Sequence, residues 1–202
     1  SGVGATALAI TAPTASVPFG TATMVAGTDD NGYSAATLGL HFRGEYNAVT
    51  AAIISVNAVT SCKVEVGFTD TTAGTDAGQV NAIDTPTWNA TDAAVWAFDT
   101  DSATRNDGWY GLSVPNAGTS VVYAPTSLGN SAGDTVPVAD TRELLIVATQ
   151  EGSVKFLRGE NLSNRWVITQ GSDWLASGIT ATISLSPWLF VQARAGSASR
   201  TL

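Results

Sequence analysis

The sequence predicts an all-β protein, an antiparallel β-sandwich or jelly roll, on three observations. Cys62, Val64, Val66 and Phe68 alternate with Lys63, Glu65, Gly67 and Thr69, the period-two pattern of a strand. In Ala94–Asp101, Trp96 and Phe98 share one parity while Val95, Ala97 and Asp99 share the other. Short apolar runs of this kind recur between Gly-, Pro- and Asp-bearing turns, with no convincing helical stretch among them.

A chain of 202 residues is most simply one domain, long enough to bury about 70% of its unfolded surface without staples. Cys62 is the only cysteine, so no disulfide forms within the chain, and its strand position marks it as a small core residue. The formal charge of −8 repels phosphate backbones and anionic membranes, which argues against nucleic-acid binding. No apolar run approaches the roughly 18 residues of a membrane span. No basic segment precedes an apolar core at the start, so no signal peptide is read there. A chain that begins at Ser1 without methionine reads as processed or as a piece of a longer one.

In chain order, residues 1–36 are rich in Ala, Thr, Ser and Gly and carry Pro13 and Pro18. They read as an extended N-terminal arm ahead of a sandwich domain over 37–202. Val17, Phe19 and Val25 are the arm's expected contacts with a neighbouring subunit. Asp29-Asp-Asn-Gly32 is a turn, and Leu38, Leu40 and Phe42 alternate with Gly39, His41 and Arg43 as the first clear strand. Glu45–Val56 fits a helical face as well as a strand, and its β-branched content favours the strand. A long loop over Thr71–Thr87 follows the Cys62–Asp70 strand. Trp109–Val114 is the next strand of a meander, and Ala124–Thr141 another polar connection. Arg142–Thr149 and Ser153–Arg158 form a hairpin around Gln150-Glu151-Gly152. Arg165–Thr169, Ile179–Leu185 and Trp188–Ala195 complete the strands, with Ser186-Pro187 punctuating the last two.

Most motif matches fail on context. Gly129-Asn-Ser-Ala-Gly133 fits the nucleophile elbow G-x-S-x-G, but Asp134-Thr-Val-Pro137 cannot start the helix that motif needs. Gly2-Val-Gly-Ala-Thr-Ala7 fits a dinucleotide fingerprint without a strand before it. Asp99-Thr-Asp101 opens like an EF-hand loop, but Ala103 and Thr104 stand where a ligand and a glycine belong. A Ca²⁺ site of another kind would draw on Asp70, Asp76, Asp99, Asp101 and Asp107; solvated turn aspartates are the plainer reading. His41, the lone histidine, has no partner for a zinc site. Of the six tryptophans, Trp88, Trp109 (with Tyr110) and Trp174 sit at loops or strand ends and are the candidates for stacking on a sugar. Trp96 and Trp188 read as core.

Three segments together resemble a known family: Val64-Glu-Val-Gly-Phe-Thr-Asp70, Ala94-Val-Trp-Ala-Phe-Asp-Thr-Asp101 and Ser186-Pro-Trp-Leu-Phe-Val-Gln-Ala-Arg194. They are similar to the concanavalin A-like (lectin/glucanase) jelly-roll domains of tailed-bacteriophage structural proteins, over Leu38 to Leu202. The resemblance implies a non-catalytic protein on the virion surface, in capsid decoration or on the tail. Its partners would be other virion proteins and copies of itself, a trimer first, since virion sites repeat by symmetry. It also implies one further strand after Arg200-Thr-Leu202, which another chain or a longer sequence would supply. The alternative is a carbohydrate-binding, lectin-like module that recognises a host surface glycan, and a weaker one is a glycoside hydrolase. Glucanases of this fold carry a Glu-x-Asp-x-(x)-Glu strand, and no such run exists here; Glu65 has Lys63 and Gly67 as same-face neighbours.

Overall fold

The computed structural model describes residues 6–11, 21–73, 78–124, 137–163, 165–194 and 200–202. Its strands are β1 (Thr6–Thr11), β2 (Thr21–Val25), β3 (Tyr33–Thr37), β4 (Phe42–Arg43), β5 (Val49–Ile54), β6 (Cys62–Thr69), β7 (Val80–Ala82) and β8 (Thr87–Trp88). They continue with β9 (Ala93–Asp99), β10 (Tyr110–Val114), β11 (Val121–Tyr123), β12 (Glu143–Gln150), β13 (Ser153–Leu162), β14 (Arg165–Gly171) and β15 (Ser184–Ala193). No helix occurs among the described residues, and every strand pairing is antiparallel. The all-β antiparallel sandwich expected from the sequence is the observed fold.

One sheet runs in the order β11-β10-β9-β6-β15-β3, with β4 pairing β15 beyond it; the other runs β14-β13-β12-β5. Two-stranded pieces, β1–β2 and β7–β8, account for the other strands among the described residues. The two main sheets enclose Val64, Val66, Phe68, Trp96 and Phe98 from one side and Leu145, Val147, Val154 and Phe156 from the other. Trp96 ties them together: its indole N–H donates to Ile146 O (3.1 Å) and Leu157 O (3.2 Å) across the interface. Its ring meets Phe156 edge-on at 5.5 Å. A second core lies on the opposite face of the larger sheet, where Val95, Ala97, Leu112, Trp188 and Phe190 pack beneath Val80 and Ile83 of the β7–β8 region. β6 and β9 are thus buried on both faces, as their burial patterns record.

The β12–β13 hairpin expected around Gln150-Glu151-Gly152 is present. Glu151 (φ 50) and Gly152 (φ 81) both take left-handed backbone, the two-residue turn that suits strand twist. Several expected strands moved. Leu38–His41 is not a strand: β3 ends at Thr37, Gly39 turns at φ 87, and Leu38 and Leu40 are 70% and 45% exposed. Alternation there ran on through a glycine that breaks the extended path. Ile179–Ile183 is likewise a turn, closed by Ile183 N–H on Thr180 O (3.2 Å), with β15 starting at Ser184. Ser186-Pro187 does not punctuate; both lie inside β15. Pairing on that side passes from Phe42 opposite Leu185 to Thr37 opposite Trp188, so no flanking residue stands opposite Pro187 and its missing donor leaves no ladder bond unmade there. The long Thr71–Thr87 loop contains β7 and the start of β8.

Parts of the expected arm belong to the sandwich. β3 pairs with β15, and Met24 exchanges both backbone hydrogen bonds with Leu202 (3.0 and 2.9 Å). Met24 and Ala26 are buried in the main core. Met24→Ala should therefore lower stability by about 2–5 kcal/mol, read as a fall in the denaturant midpoint; an unchanged midpoint would place β2 outside the folding unit.

Candidate functional site: buried acids and an open sheet face

Five charged residues of the strands, Lys63, Glu65, Asp99, Glu143 and Arg158, are taken inside and paired. Lys63 and Glu65 alternate onto the outer side of β6 and are fully buried, with Nζ 3.2 Å from Oε1. Glu65 Oε2 accepts from Gln79 N–H (2.8 Å) and the Trp188 indole (2.8 Å), and Oε1 accepts from Val80 N–H (3.0 Å). Lys63 donates to Val80 O. Gly78 (φ 70) makes this approach possible, since a Cβ there would sit 2.6 Å from Oε1. Burial lowers the Lys63 pKa, and the Glu65 carboxylate works against that shift.

A second centre lies at one end of the inter-sheet core. Glu143 takes the Trp109 indole N–H (2.6 Å) and pairs with Arg158, whose Nη1 donates to Gln170 Oε1 (3.1 Å). In a third, Arg194 grips Asp99 and lies 3.9 Å from Asp101. Asp84 forms a clasp on the surface, accepting from Ser102 Oγ (2.6 Å), Thr104 Oγ1 (2.6 Å) and the backbone N–H groups of Ala103, Thr104 and Arg105 (2.8, 2.9 and 3.1 Å). The hydroxyl bonds, chiefly, hold its pKa below the usual carboxylate range.

The expected site residues do not converge. Trp109 is fully buried against Glu143, so its ring has no face open to a ligand and it leaves the set of stacking candidates. Tyr110 is half-buried, bonded to Asp107 (2.8 Å) and covered by the Arg105 guanidinium at 5.6 Å; burial and that bond push its pKa up to about 12. Trp88 packs on Ala90, Ala93 and Val114, with its N–H on Ser120 Oγ (2.8 Å). Trp174 alone of the four is open, 43% exposed with Lys155 Nζ 5.9 Å from its ring centre. Among the aspartates, Asp70 accepts from Thr91, Asp99 and Asp101 face Arg194, and Asp107 holds Tyr110. No group of three or more potential metal ligands occurs among the described residues, so those four do not form the Ca²⁺ cluster considered above. Asp76, Val17, Phe19 and the Gly129–Gly133 motif lie outside the described residues. Val25 is half-buried, paired with Thr6 and bridged to Thr201 of its own chain. His41 is exposed, and Cys62 is buried.

Pattern reading missed the outer face of the four-stranded sheet. Register puts Val49, Ala51 and Ile53 of β5 beside Ala148, Ile146 and Leu144 of β12, and Leu157 and Gly159 of β13 beside the latter two. A Cβ built on Gly159 would touch Ile168 Cδ1 (3.3 Å) and Leu144 Cδ2 (3.4 Å), which confirms that these side chains share one side. Val49 and Ile53 are 57% and 54% exposed. Lys155 is the one charged side chain at the outward positions of these strands. Strand spacing makes the platform about 15–20 Å across each way, on the order of 200–400 Å², comparable at its upper end with the largest apolar patch on an ordinary monomer. The signal was in the sequence: Leu144-Leu-Ile-Val-Ala148 is apolar at both parities, although only one face of β12 meets the core.

No protein-family model matches the sequence, and no curated protein matches it significantly. Among solved structures the chain is similar to a Bacillus licheniformis beta-glucanase, at 12% identity and TM-score 0.46, over 89% of this chain and 73% of that one. It is also similar to a Bacillus subtilis protein of unknown function with a galectin-like fold, at 10% identity and TM-score 0.44, over 89% and 79% of the two chains. These are likenesses of chain path, and no residue role is taken from them.

Two outcomes test the buried centres. Glu65→Gln should cost about 3–5 kcal/mol by leaving the Lys63 cation without its counter-ion, and adding Lys63→Met should recover part of that in urea melts. Strictly additive losses would mean that the two do not act as a pair. The Cys62 thiol pKa is raised from 9.0 to about 12, first by burial, with the Arg200 charge pulling the other way. A raised folded pKa stabilises fully below pH 9 and loses that contribution as pH climbs toward 12. A thiol reagent at pH 8 should therefore label native Cys62 only as fast as the protein opens, and immediate labelling would refute its burial.

Proposed function

We propose that this chain is a non-catalytic structural protein of a bacteriophage virion, a capsid decoration or tail-associated module. It docks on a neighbouring virion protein through the outer face of the four-stranded sheet. One observation carries the docking: an almost uncharged apolar platform on a chain whose formal charge is −8. The virion assignment draws on the resemblance of the Val64–Asp70, Ala94–Asp101 and Ser186–Arg194 segments to phage jelly-roll domains. The absence of catalysis draws on Glu65 and Glu143. Glycoside hydrolysis needs two carboxyls opening on a groove, one to give a proton and one to attack or activate water. Both glutamates are shut from solvent, and each faces a cation.

Mass spectrometry of purified virions should find this chain, and the added protein should cosediment with particles that lack it. Ile146→Lys and Leu157→Lys, at half-exposed outward positions, should reduce cosedimentation at least tenfold with little change in melting temperature. Absence from virions would overturn the reading; undiminished attachment of both variants would move the docking surface elsewhere.

Trp174 favours a second reading, a glycan-binding module that uses the exposed ring and its Lys155 neighbour to stack a sugar. A glycan array would then give a ligand whose binding is lost in Trp174→Ala, and binding indifferent to that change would exclude this ring.

A further inference from the structure

β5 is an edge strand that differs from the other sheet edges. β14, at the far side of the same sheet, pairs across a register irregularity at Arg158/Gly159 and begins with Arg165. β11 is three residues long, and Leu38–His41 interrupts the edge formed by β3 and β4. Short strands, irregularities and charges are how proteins keep open edges from pairing. β5 has none of these: Val49-Thr-Ala-Ala-Ile-Ile54 is regular, uncharged and free of proline. No described residue pairs with its other side.

The ladder fixes which backbone groups face that side. Thr149 N–H donates to Ala48 O at 2.8 Å, and these residues stand opposite one another in the continuing register, so Ala48 is in a hydrogen-bonded pair. Antiparallel pairs alternate. Thr50, Ala52 and Ile54 therefore turn their N–H and C=O toward β12, and Val49, Ala51 and Ile53 turn theirs to the open edge. The same three residues carry the exposed side chains.

We propose that β5 is a self-association edge, where a second copy of this chain pairs its own β5 antiparallel about a two-fold axis through Ala51. That axis sets Val49 opposite Ile53, Ala51 opposite Ala51, and Ile53 opposite Val49, and it meets the requirement that residues directly opposite share a face. All three are hydrogen-bonded pairs, each exchanging both N–H···O bonds. The β-branched Val49 and Ile53 then cover one another on the outward side, and the small Ala51 sits at the axis. A second copy fits better than another occupant because the strand's pattern matches itself under a two-fold. The edge also has no charge, so two strongly acidic chains can meet there. The two four-stranded sheets become one, and their apolar platforms become continuous. Pairing of this kind closes as a dimer, in place of the trimer that the resemblance implies.

Sedimentation of the full chain should show a concentration-dependent dimer, and Ile53→Lys should shift it to monomer with its melting temperature kept. Ala51→Cys should cross-link to itself on oxidation, because opposed residues in a hydrogen-bonded pair have Cα atoms about 5.5 Å apart, within reach of a disulfide. Val49→Cys alone should not cross-link, whereas mixed with Ile53→Cys it should; the native Cys62 is buried and does not interfere. A monomer at every concentration overturns the proposal. So does a trimer, a dimer that persists in Ile53→Lys, or a Val49→Cys chain that closes on itself as readily as Ala51→Cys. None of these outcomes depends on attachment to a virion, so the two readings fail separately.

Discussion

Glu65 and Lys63 are taken wholly out of water in the middle of β6, and the outer layer of the molecule is built on what that costs. A bare carboxylate in an apolar setting is untenable, so it must be surrounded by donors. Here the donors are the backbone of Gln79 and Val80, the Trp188 indole and the Lys63 ammonium. The first two come from the segment that leads into β7, so the solvation of one acid fixes where that segment lies. Once it is fixed, Val80 and Ile83 close over Val95, Ala97, Leu112 and Phe190, and the second core follows. The Asp84 clasp on residues 102–105 secures the far end of the same layer.

This layering makes the two sheets unequal. The larger one is covered on both faces, and the smaller one is covered only where it meets the larger. An antiparallel sheet with one face in water ordinarily alternates apolar and polar residues. β13 keeps some of that alternation, with Ser153 and Lys155 turned outward. β12 and β5 do not, since Leu144, Ile146, Ala148, Val49, Ala51 and Ile53 all face out. Trp96 bonds to the main chain of β12 and β13 from the inside, so the platform is held rigidly against the core beneath it. A rigid apolar sheet loses little conformational freedom on docking, which lowers the entropic cost of the docking proposed above.

Much of the fold could be read from residue order because period-two alternation and turn chemistry are local. β6, β9, β10 and the β12–β13 hairpin were legible in that way. What failed was non-local. Leu38–Phe42 alternates as well as any true strand, but whether it pairs depends on where β15 runs, and β15 meets Tyr33–Thr37 and then Phe42–Arg43, passing over Leu38–His41. Pro187 looked like a break because nothing nearby reveals that its flanking neighbour is interrupted. Tryptophans at strand ends looked available for ligands, yet Trp109 is drawn inside by Glu143, which lies 34 positions away. The platform was missed for the converse reason: the apolar run of β12 reads as deep burial until the topology shows that one of its faces is uncovered.

The placement of charge completes the contrast between the surfaces. Lys63, Arg158 and Arg194 are each committed to an internal acid, and Arg200 is buried with its Nε on Thr60 O (2.8 Å). Each of these three pairs is neutral as a unit, so the formal charge of −8 stays on the exterior. Two such exteriors repel at short range, within the roughly 8 Å that physiological salt leaves unscreened. A platform 15–20 Å across that carries only Lys155 at its outward positions is wide enough for a partner's surface to sit beyond the reach of most of that field. The internal pairs leave that surface charge unchanged, whereas the face and edge built from β5 and β12 carry almost none of it, so repulsion acts everywhere except there.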